Sequence, residues 1–85
     1  MSYRVIWGER AAHDVQAIYD AAVDKEGLIN TVERIGLELS AAPLAAGVSR
    51  AGNRRILFKF PLIVWYTVDE RMKEVVIAQV RVTRR

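Results

Sequence analysis

Cysteine is absent from this sequence, and histidine occurs only once. Without cysteine no disulfide can stabilise the fold, and zinc sites built from cysteine and histidine lack ligands. The absence of cysteine is also compatible with the reducing cytoplasm. We therefore expect a protein that holds together by packing alone, with neither a metal site nor a cofactor.

Long apolar runs are missing as well. The longest, from Phe60 to Tyr66, is far shorter than the roughly 20 residues that a helix needs to cross a bilayer. The first residues, Met1 to Trp7, contain neither an apolar segment nor a small-residue cleavage site, so no signal peptide is predicted. These absences together predict a cytoplasmic protein without a membrane partner.

The chain has 85 residues, enough for one small domain, which we place at residues 1–85. Hydrophobic residues make up 52% of it, so we expect a folded rather than a disordered chain. A domain this small buries a modest core and has no disulfide to add stability. A protein partner is therefore expected.

Positive charge is concentrated in the second half. Residues 39–85 contain nine basic and three acidic residues, a net charge of +6, whereas residues 1–38 contain four basic and seven acidic residues, a net charge of −3. This asymmetry favours a nucleic acid or an acidic peptide as partner, the alternative being a merely solvated basic surface. We expect the cations to share one exposed face. The candidate binding residues are Arg50, Arg54, Arg55, Lys59, Arg81, Arg84 and Arg85.

The first half of the chain has the pattern of one strand and two helices. Alternating apolar residues predict a strand over residues 3–7, which Gly8 ends. Apolar residues at helical spacing predict helices over residues 9–23 and 28–40. The short connection between them predicts an antiparallel helical hairpin.

Three residues mark the expected ends and contacts of these helices. Gly27 is expected to end the first helix in a left-handed conformation. Gly36, beside the apolar stripe of the second helix, suggests a close approach of the two helices. Pro43 is expected to end the second helix.

Three strands are predicted in the second half, over residues 54–60, 62–68 and 74–82, after a loop or short edge strand at residues 45–53. Pro61 separates the first two of these three strands. The predicted order is β-α-α-β-β-β. The fold class is α+β, with a helical hairpin packed on one face of a small, largely antiparallel sheet.

Alternation also predicts how the strands face. Ile56, Phe58 and Phe60 should lie on one side, with Arg55, Leu57 and Lys59 on the other. In the last strand, one face should carry Val76, Ala78, Val80 and Val82.

The aromatic residues are predicted to divide between core and surface. Trp7 and one of Trp65 and Tyr66 should lie in the core, because neighbouring strand residues face opposite sides. The other residue of that pair is a candidate contact for a partner. His13 is expected to be a solvated helix residue rather than a catalytic one.

Three segments resemble the RelE/ParE superfamily, the toxin halves of bacterial type II toxin–antitoxin pairs. Residues Ala12 to Asp20 are similar to its "A..DL..I..Y" helix. Residues Arg55 to Asp69 are similar to its "R.l.....i.Y.v.d" strands, and Val75 to Arg85 to its "v.I..V...RR" ending. The resemblance covers nearly the whole chain and implies this fold and a toxin function.

The resemblance leaves two modes of action open. Toxins similar to RelE are mRNA interferases that cut messenger RNA in the ribosomal A site without a metal. Toxins similar to ParE, known from plasmid-stabilisation modules, are gyrase inhibitors with no known hydrolytic site. The first mode requires a base, an acid and cations around the reacting phosphate.

The RelE-like catalytic set is incomplete in this sequence. Arg54 or Arg55, with Lys59 as a weaker candidate, matches a basic position, and Arg84 or Arg85 matches another. Ile63 stands where the resemblance calls for an arginine, and no tyrosine or histidine follows Tyr66 to act as acid or base. We therefore expect a ParE-like, non-enzymatic toxin.

The resemblance also implies the partners. A cognate antitoxin should bind and neutralise the protein. The expected assembly is a homodimer or a toxin–antitoxin hetero-oligomer. The target should be DNA gyrase or, alternatively, the ribosome with its mRNA. A third possibility is an inactive protein of the toxin fold that retains only antitoxin binding.

Overall fold

The computed structural model describes residues 2–83, which form an α+β fold of helices and one five-stranded sheet. Two helices follow the first strand, and a single helical turn and a two-residue strand precede the last three strands. In chain order the elements are β1 (Arg4–Trp7), α1 (Glu9–Ala21), α2 (Lys25–Ala41), α3 (Pro43–Ala46), β2 (Val48–Ser49), β3 (Arg54–Lys59), β4 (Leu62–Asp69) and β5 (Glu74–Val82).

The strands lie in the order β1-β5-β4-β3-β2. The β1–β5 pair is parallel, and the other three pairs are antiparallel. The predicted fold class, order and largely antiparallel sheet are therefore confirmed. Residues 45–53, predicted as a loop or a short edge strand, contain the end of α3 and the strand β2. None of the helices in the described part of the chain is long and apolar enough to cross a membrane.

The core lies between the helices and one face of the sheet. The two long helices contribute Ala11, Leu28, Ile35 and Leu39, all of them buried. The sheet contributes Leu57 from β3, three residues of β4 and three of β5. Those six are Leu62, Val64, Tyr66, Val75, Ile77 and Val80.

The start of α2 differs from the prediction at Gly27. The Asp24 side chain accepts a hydrogen bond from the Gly27 amide at 2.9 Å, so Asp24 is the N-cap of α2. Gly27 consequently lies in the first turn of α2 and has no positive φ. The prediction that it ends α1 in a left-handed conformation is wrong, because the aspartate cap starts the next helix three residues earlier.

Gly36 also departs from its predicted role. A Cβ atom built on Gly36 meets no atom within 4 Å, so it does not mark a close helix–helix approach. Pro43 follows the end of α2 as predicted and opens the helical turn α3.

The last strand contains a β-bulge. Tyr66 pairs with Ile77, but Trp65 pairs with Gln79, so Ala78 is an extra residue on β5. The bulge interrupts the alternation, and the core residues become Val75, Ile77 and Val80 while Val76 and Ala78 are exposed. The prediction of one continuous face from Val76 to Val82 is wrong for this reason.

Candidate partner-binding face

The sheet has two unlike faces. The helices cover the face that carries the core residues, and we call the other the open face. Strand pairing places its side chains in cross-strand rows. One row is Phe58, Ile63 and Arg81; the next is Val48, Ile56, Trp65 and Gln79; a third is Arg54, Thr67, Val76 and Ile6.

Most side chains in these rows are apolar. Phe58 is 60% exposed, and Val48 on the edge strand is 49% exposed. Ile56, Ile63 and Trp65 lie half-buried between them. A sheet face in contact with water normally carries polar side chains, so a contiguous apolar face is typical of a surface that another molecule covers.

Two of the predicted binding cations lie on this face. Arg81 lies beside Ile63, and Arg54 lies beside Thr67, so the row of Trp65 separates them. Both arginines are exposed. Arg50 is also exposed, and its amide donates to the Arg54 carbonyl at 2.8 Å across the turn between β2 and β3. The open face is therefore an apolar surface with arginines at its margins.

Arg55 and Lys59 lie on the opposite, helix-covered face. The Arg55 guanidinium donates to the carbonyls of Leu44 at 2.7 Å and Gly47 at 3.0 Å, and so holds α3 against β3. The Lys59 ammonium lies 2.7 Å from the Glu38 carboxylate of α2. The prediction that the cations after residue 49 share one face is therefore wrong. The alternation predicted within β3 is confirmed, because both residues share their face with Leu57.

Arg84 and Arg85 lie outside the described residues. Their predicted roles in binding, and that of Arg84 in catalysis, stay predictions.

Ile63 lies near the middle of the open face. Its cross-strand partners are Phe58 on β3 and Arg81 on β5. The row beside it holds Ile56, Trp65 and Gln79, so these two rows contain no carboxylate, histidine or tyrosine. The position where the resemblance calls for an arginine is thus aliphatic, and neither row holds a carboxylate, histidine or tyrosine that could transfer a proton.

The aromatic residues divide as predicted. Tyr66 is buried in the core, and its hydroxyl donates to the Pro43 carbonyl at 2.7 Å. Trp7 packs against the core on the helix-covered face. Trp65 is the residue of the pair that faces away from the helices. It is consequently the aromatic candidate for contact with a partner.

One polar contact had no counterpart in the sequence analysis. The Asp14 carboxylate of α1 accepts a hydrogen bond from the Val80 amide at 2.9 Å, and the Arg10 guanidinium lies 3.8 Å from the same oxygen. A helical pattern places Asp14 outside the apolar stripe but does not show that it reaches a strand edge. His13, one residue earlier, is exposed.

The described residues contain no group of three or more histidine or carboxylate side chains that could hold a metal ion. The side chains of the open face offer apolar contact, aromatic stacking and hydrogen bonding from arginine.

Comparisons with known proteins give matches among solved structures. No family model and no curated protein matches the chain. The toxin–antitoxin complex RelBE2 of Mycobacterium tuberculosis contains a chain that superposes with a TM-score of 0.79 at 22% identity, covering 98% of this chain and all of that one. The chromosomal ParDE TA system of P. aeruginosa gives a TM-score of 0.71 at 24% identity, covering 96% and 97%.

An archaeal RelE–RelB complex from Pyrococcus horikoshii OT3 gives a TM-score of 0.59 at 17% identity, with 96% of each chain covered. Both RelE-type and ParE-type proteins are thus among the structural neighbours. The expected likeness to the RelE/ParE superfamily is confirmed at the level of the fold.

Proposed function

We propose that this protein is the toxin of a type II toxin–antitoxin module, that a cognate antitoxin neutralises it, and that it acts by binding a nucleic-acid machine. DNA gyrase is the favoured target. The observation that carries the choice of a binding mode is the apolar open face with Ile63 and Trp65 near its middle. The fold shared with toxin–antitoxin proteins supports the wider assignment.

The composition of the open face favours a protein surface over a reacting phosphate. Cutting RNA without a metal requires closely placed cations and a group that transfers a proton. Here Phe58 and Ile63 lie beside Arg81, and Trp65 lies between Arg81 and Arg54. Aromatic and aliphatic residues with arginines at the margin are typical of a protein–protein interface.

The test is a supercoiling assay with purified gyrase and purified protein. We expect inhibition by the wild type and at least a tenfold higher inhibitory concentration for Trp65→Ala, which removes the aromatic centre of the face. Leu37→Ala is the matched control, because Leu37 is an apolar residue of α2 that is 72% exposed on the helical side of the molecule. Circular dichroism must show that both variants are folded.

A second candidate, ribosome-dependent cleavage of mRNA, is favoured by one observation, the presence of Arg54 and Arg81 on one face. Primer extension on cellular mRNA after induced expression separates the two functions. New, codon-aligned 5′ ends with unaffected gyrase would overturn the gyrase proposal. Absence of both activities together with tight antitoxin binding would identify an inactive protein of this fold.

A further inference from the structure

Arg54 and Arg81 are the charged side chains in the three rows of the open face. Within residues 2–83, neither guanidinium forms a hydrogen bond or an ion pair. The three rows, as the described strands form them, hold no acidic side chain that could neutralise these charges. A guanidinium with unpaired donors beside apolar side chains is suited to an anionic group of another molecule. The open face therefore complements an acidic partner.

The two arginines also set the spacing of the acidic groups. Arg54 lies on β3 and Arg81 on β5, with β4 between them. Arg81 shares the row of Phe58, which lies four residues along β3 from Arg54. Adjacent strands are about 4.8 Å apart and four residues of strand cover about 13 Å, so the two Cα atoms are about 16 Å apart. Trp65 lies midway between them, on the middle strand and in the middle row.

The backbone of β4 offers no hydrogen bond to a molecule that lies on the open face. β4 lies between β3 and β5, and its amides and carbonyls point along the sheet toward these neighbours. An extended segment placed across Trp65 and Ile63 would therefore bury its own amides and carbonyls without partners, which is unfavourable. A helix satisfies these groups internally, and helices on both faces of a sheet are a common layer arrangement. The apolar part of the open face thus favours a helix.

Nucleic acid fits this arrangement less well. Each strand of DNA carries a phosphate about every 3.4 Å. Between the two arginines the open face instead presents Ile56, Ile63 and Trp65, none of which can pair with a phosphate. Two separated cations with apolar side chains between them match two carboxylates with apolar side chains between them, rather than a continuous row of phosphates.

We infer that the open face binds an amphipathic helix of the target protein, with two acidic residues three turns apart. Three turns of helix cover about 16 Å, the separation of Arg54 and Arg81, and place both carboxylates on one side of the helix. Apolar residues one turn inside each carboxylate then lie on Trp65, Ile56 and Ile63. A helix is about 10 Å wide, comparable with the two strands that carry these three side chains. The inference rests on the proposed function for the identity of the target protein.

Photo-crosslinking to purified gyrase tests the inference. Phe58 is 60% exposed on the open face, so Phe58→benzoylphenylalanine places a light-activated aromatic group there. Leu37→benzoylphenylalanine is the matched control, because Leu37 is 72% exposed on the helical side. We expect the first variant alone to crosslink a helix of gyrase that has two acidic residues about 11 residues apart. Val48→benzoylphenylalanine, 49% exposed on the same face, takes its place if the Phe58 variant no longer inhibits gyrase.

A synthetic peptide with the crosslinked sequence then tests the charges. Arg81→Glu should raise the Kd of this peptide at least tenfold, because a carboxylate then faces a carboxylate. Replacing the facing acidic residue of the peptide by arginine should restore the affinity of that variant. Arg34→Glu is the matched control, because Arg34 is an exposed arginine of α2 on the helical side, and it should leave the Kd unchanged.

The outcomes separate this inference from the proposed function. Inhibition of gyrase with crosslinks to an extended segment or to DNA overturns the helix as occupant and leaves the proposed function standing. Inhibition without a crosslink from either open-face variant overturns the open face as the docking site. Crosslinks between two copies of this protein assign the face to self-association and overturn the target helix. Neither inhibition by the wild type nor any crosslink to gyrase overturns both proposals.

Discussion

The Tyr66 hydroxyl donates a hydrogen bond to the carbonyl of Pro43 at 2.7 Å, in a site that is closed to water. This contact joins the central strand β4 to the helical turn α3, 23 residues earlier in the chain. Gly47 lies against the same hydroxyl, where a Cβ atom would be too close. Through these contacts with Pro43 and Gly47, one tyrosine fixes the segment that leads from the helices into the sheet.

Replacing this tyrosine tests the contact. Tyr66→Phe keeps the ring and leaves the buried Pro43 carbonyl without a donor, so we expect a loss of about 1–3 kcal/mol in the free energy of unfolding. Urea denaturation measures it. Tyr19→Phe is the control, because the Tyr19 ring contacts Lys25 but its hydroxyl makes no hydrogen bond within residues 2–83, and it should change stability by less than about 0.5 kcal/mol. Equal losses of unfolding free energy in the two variants would contradict a stabilising role for the hydrogen bond from Tyr66 to Pro43.

The adjacent arginines of β3 should have opposite roles. Arg55→Met removes two charge-assisted hydrogen bonds to α3, and we expect it to lower the free energy of unfolding by about 2–3 kcal/mol while sparing target binding. Arg54 lies on the open face. Arg54→Met should therefore change the free energy of unfolding by less than about 0.5 kcal/mol and should weaken target binding. Denaturation and the gyrase assay, performed on both variants, distinguish these outcomes. A stable Arg55→Met protein that no longer inhibits gyrase would show that Arg55 acts at the target after all.

Gly36 offers a stabilising substitution. It lies inside α2, and an added Cβ atom meets nothing, so Gly36→Ala should raise the free energy of unfolding by about 0.5–1 kcal/mol through helix propensity. The matched change Gly27→Ala adds a Cβ atom against the Asp24 carboxylate that caps the helix, and should instead lower stability by about 1 kcal/mol. Thermal melting compares the two. Stabilisation by both variants would contradict the role of the cap.

Periodicity, together with the breaks at Gly8, Pro43 and Pro61, predicted the order of the long helices and strands. The helical spacing of the first half and the alternation of β3 predict the order of the elements and the division of Leu57 from Phe58, because burial imposes these periods on the sequence. Alternation cannot tell which face of a strand the helices cover. For β3 the choice depends on contacts that Arg55 and Lys59 make with α3 and α2, distant in the chain.

The candidate site was predictable only in part for the same reason. A long cationic side chain can pack its stem against apolar neighbours and still place its charge on a carbonyl or a carboxylate. Counting charges therefore overestimated the basic surface, as Lys59 and its partner Glu38 show. Conversely, the burial of Tyr66 shows that Tyr66 points toward the helices and that Trp65 points away from them. Trp65 is therefore the central candidate for contact with a partner. The strand-edge contact of Asp14 follows from tertiary packing, for which no local pattern exists.

The extra residue at Ala78 has a consequence for changes in chain length. Residues on either side of it already pair in step with β4, Ile77 with Tyr66 and Gln79 with Trp65. Losing the codon for Ala78 would thus leave every later side chain on its present side, whereas losing the codon for Val80 would place either Gln79 or Arg81 in the buried position opposite Val64. Along β5, single-codon deletions should be tolerated at the bulge and rejected beyond it, which a deletion scan followed by thermal melting would reveal.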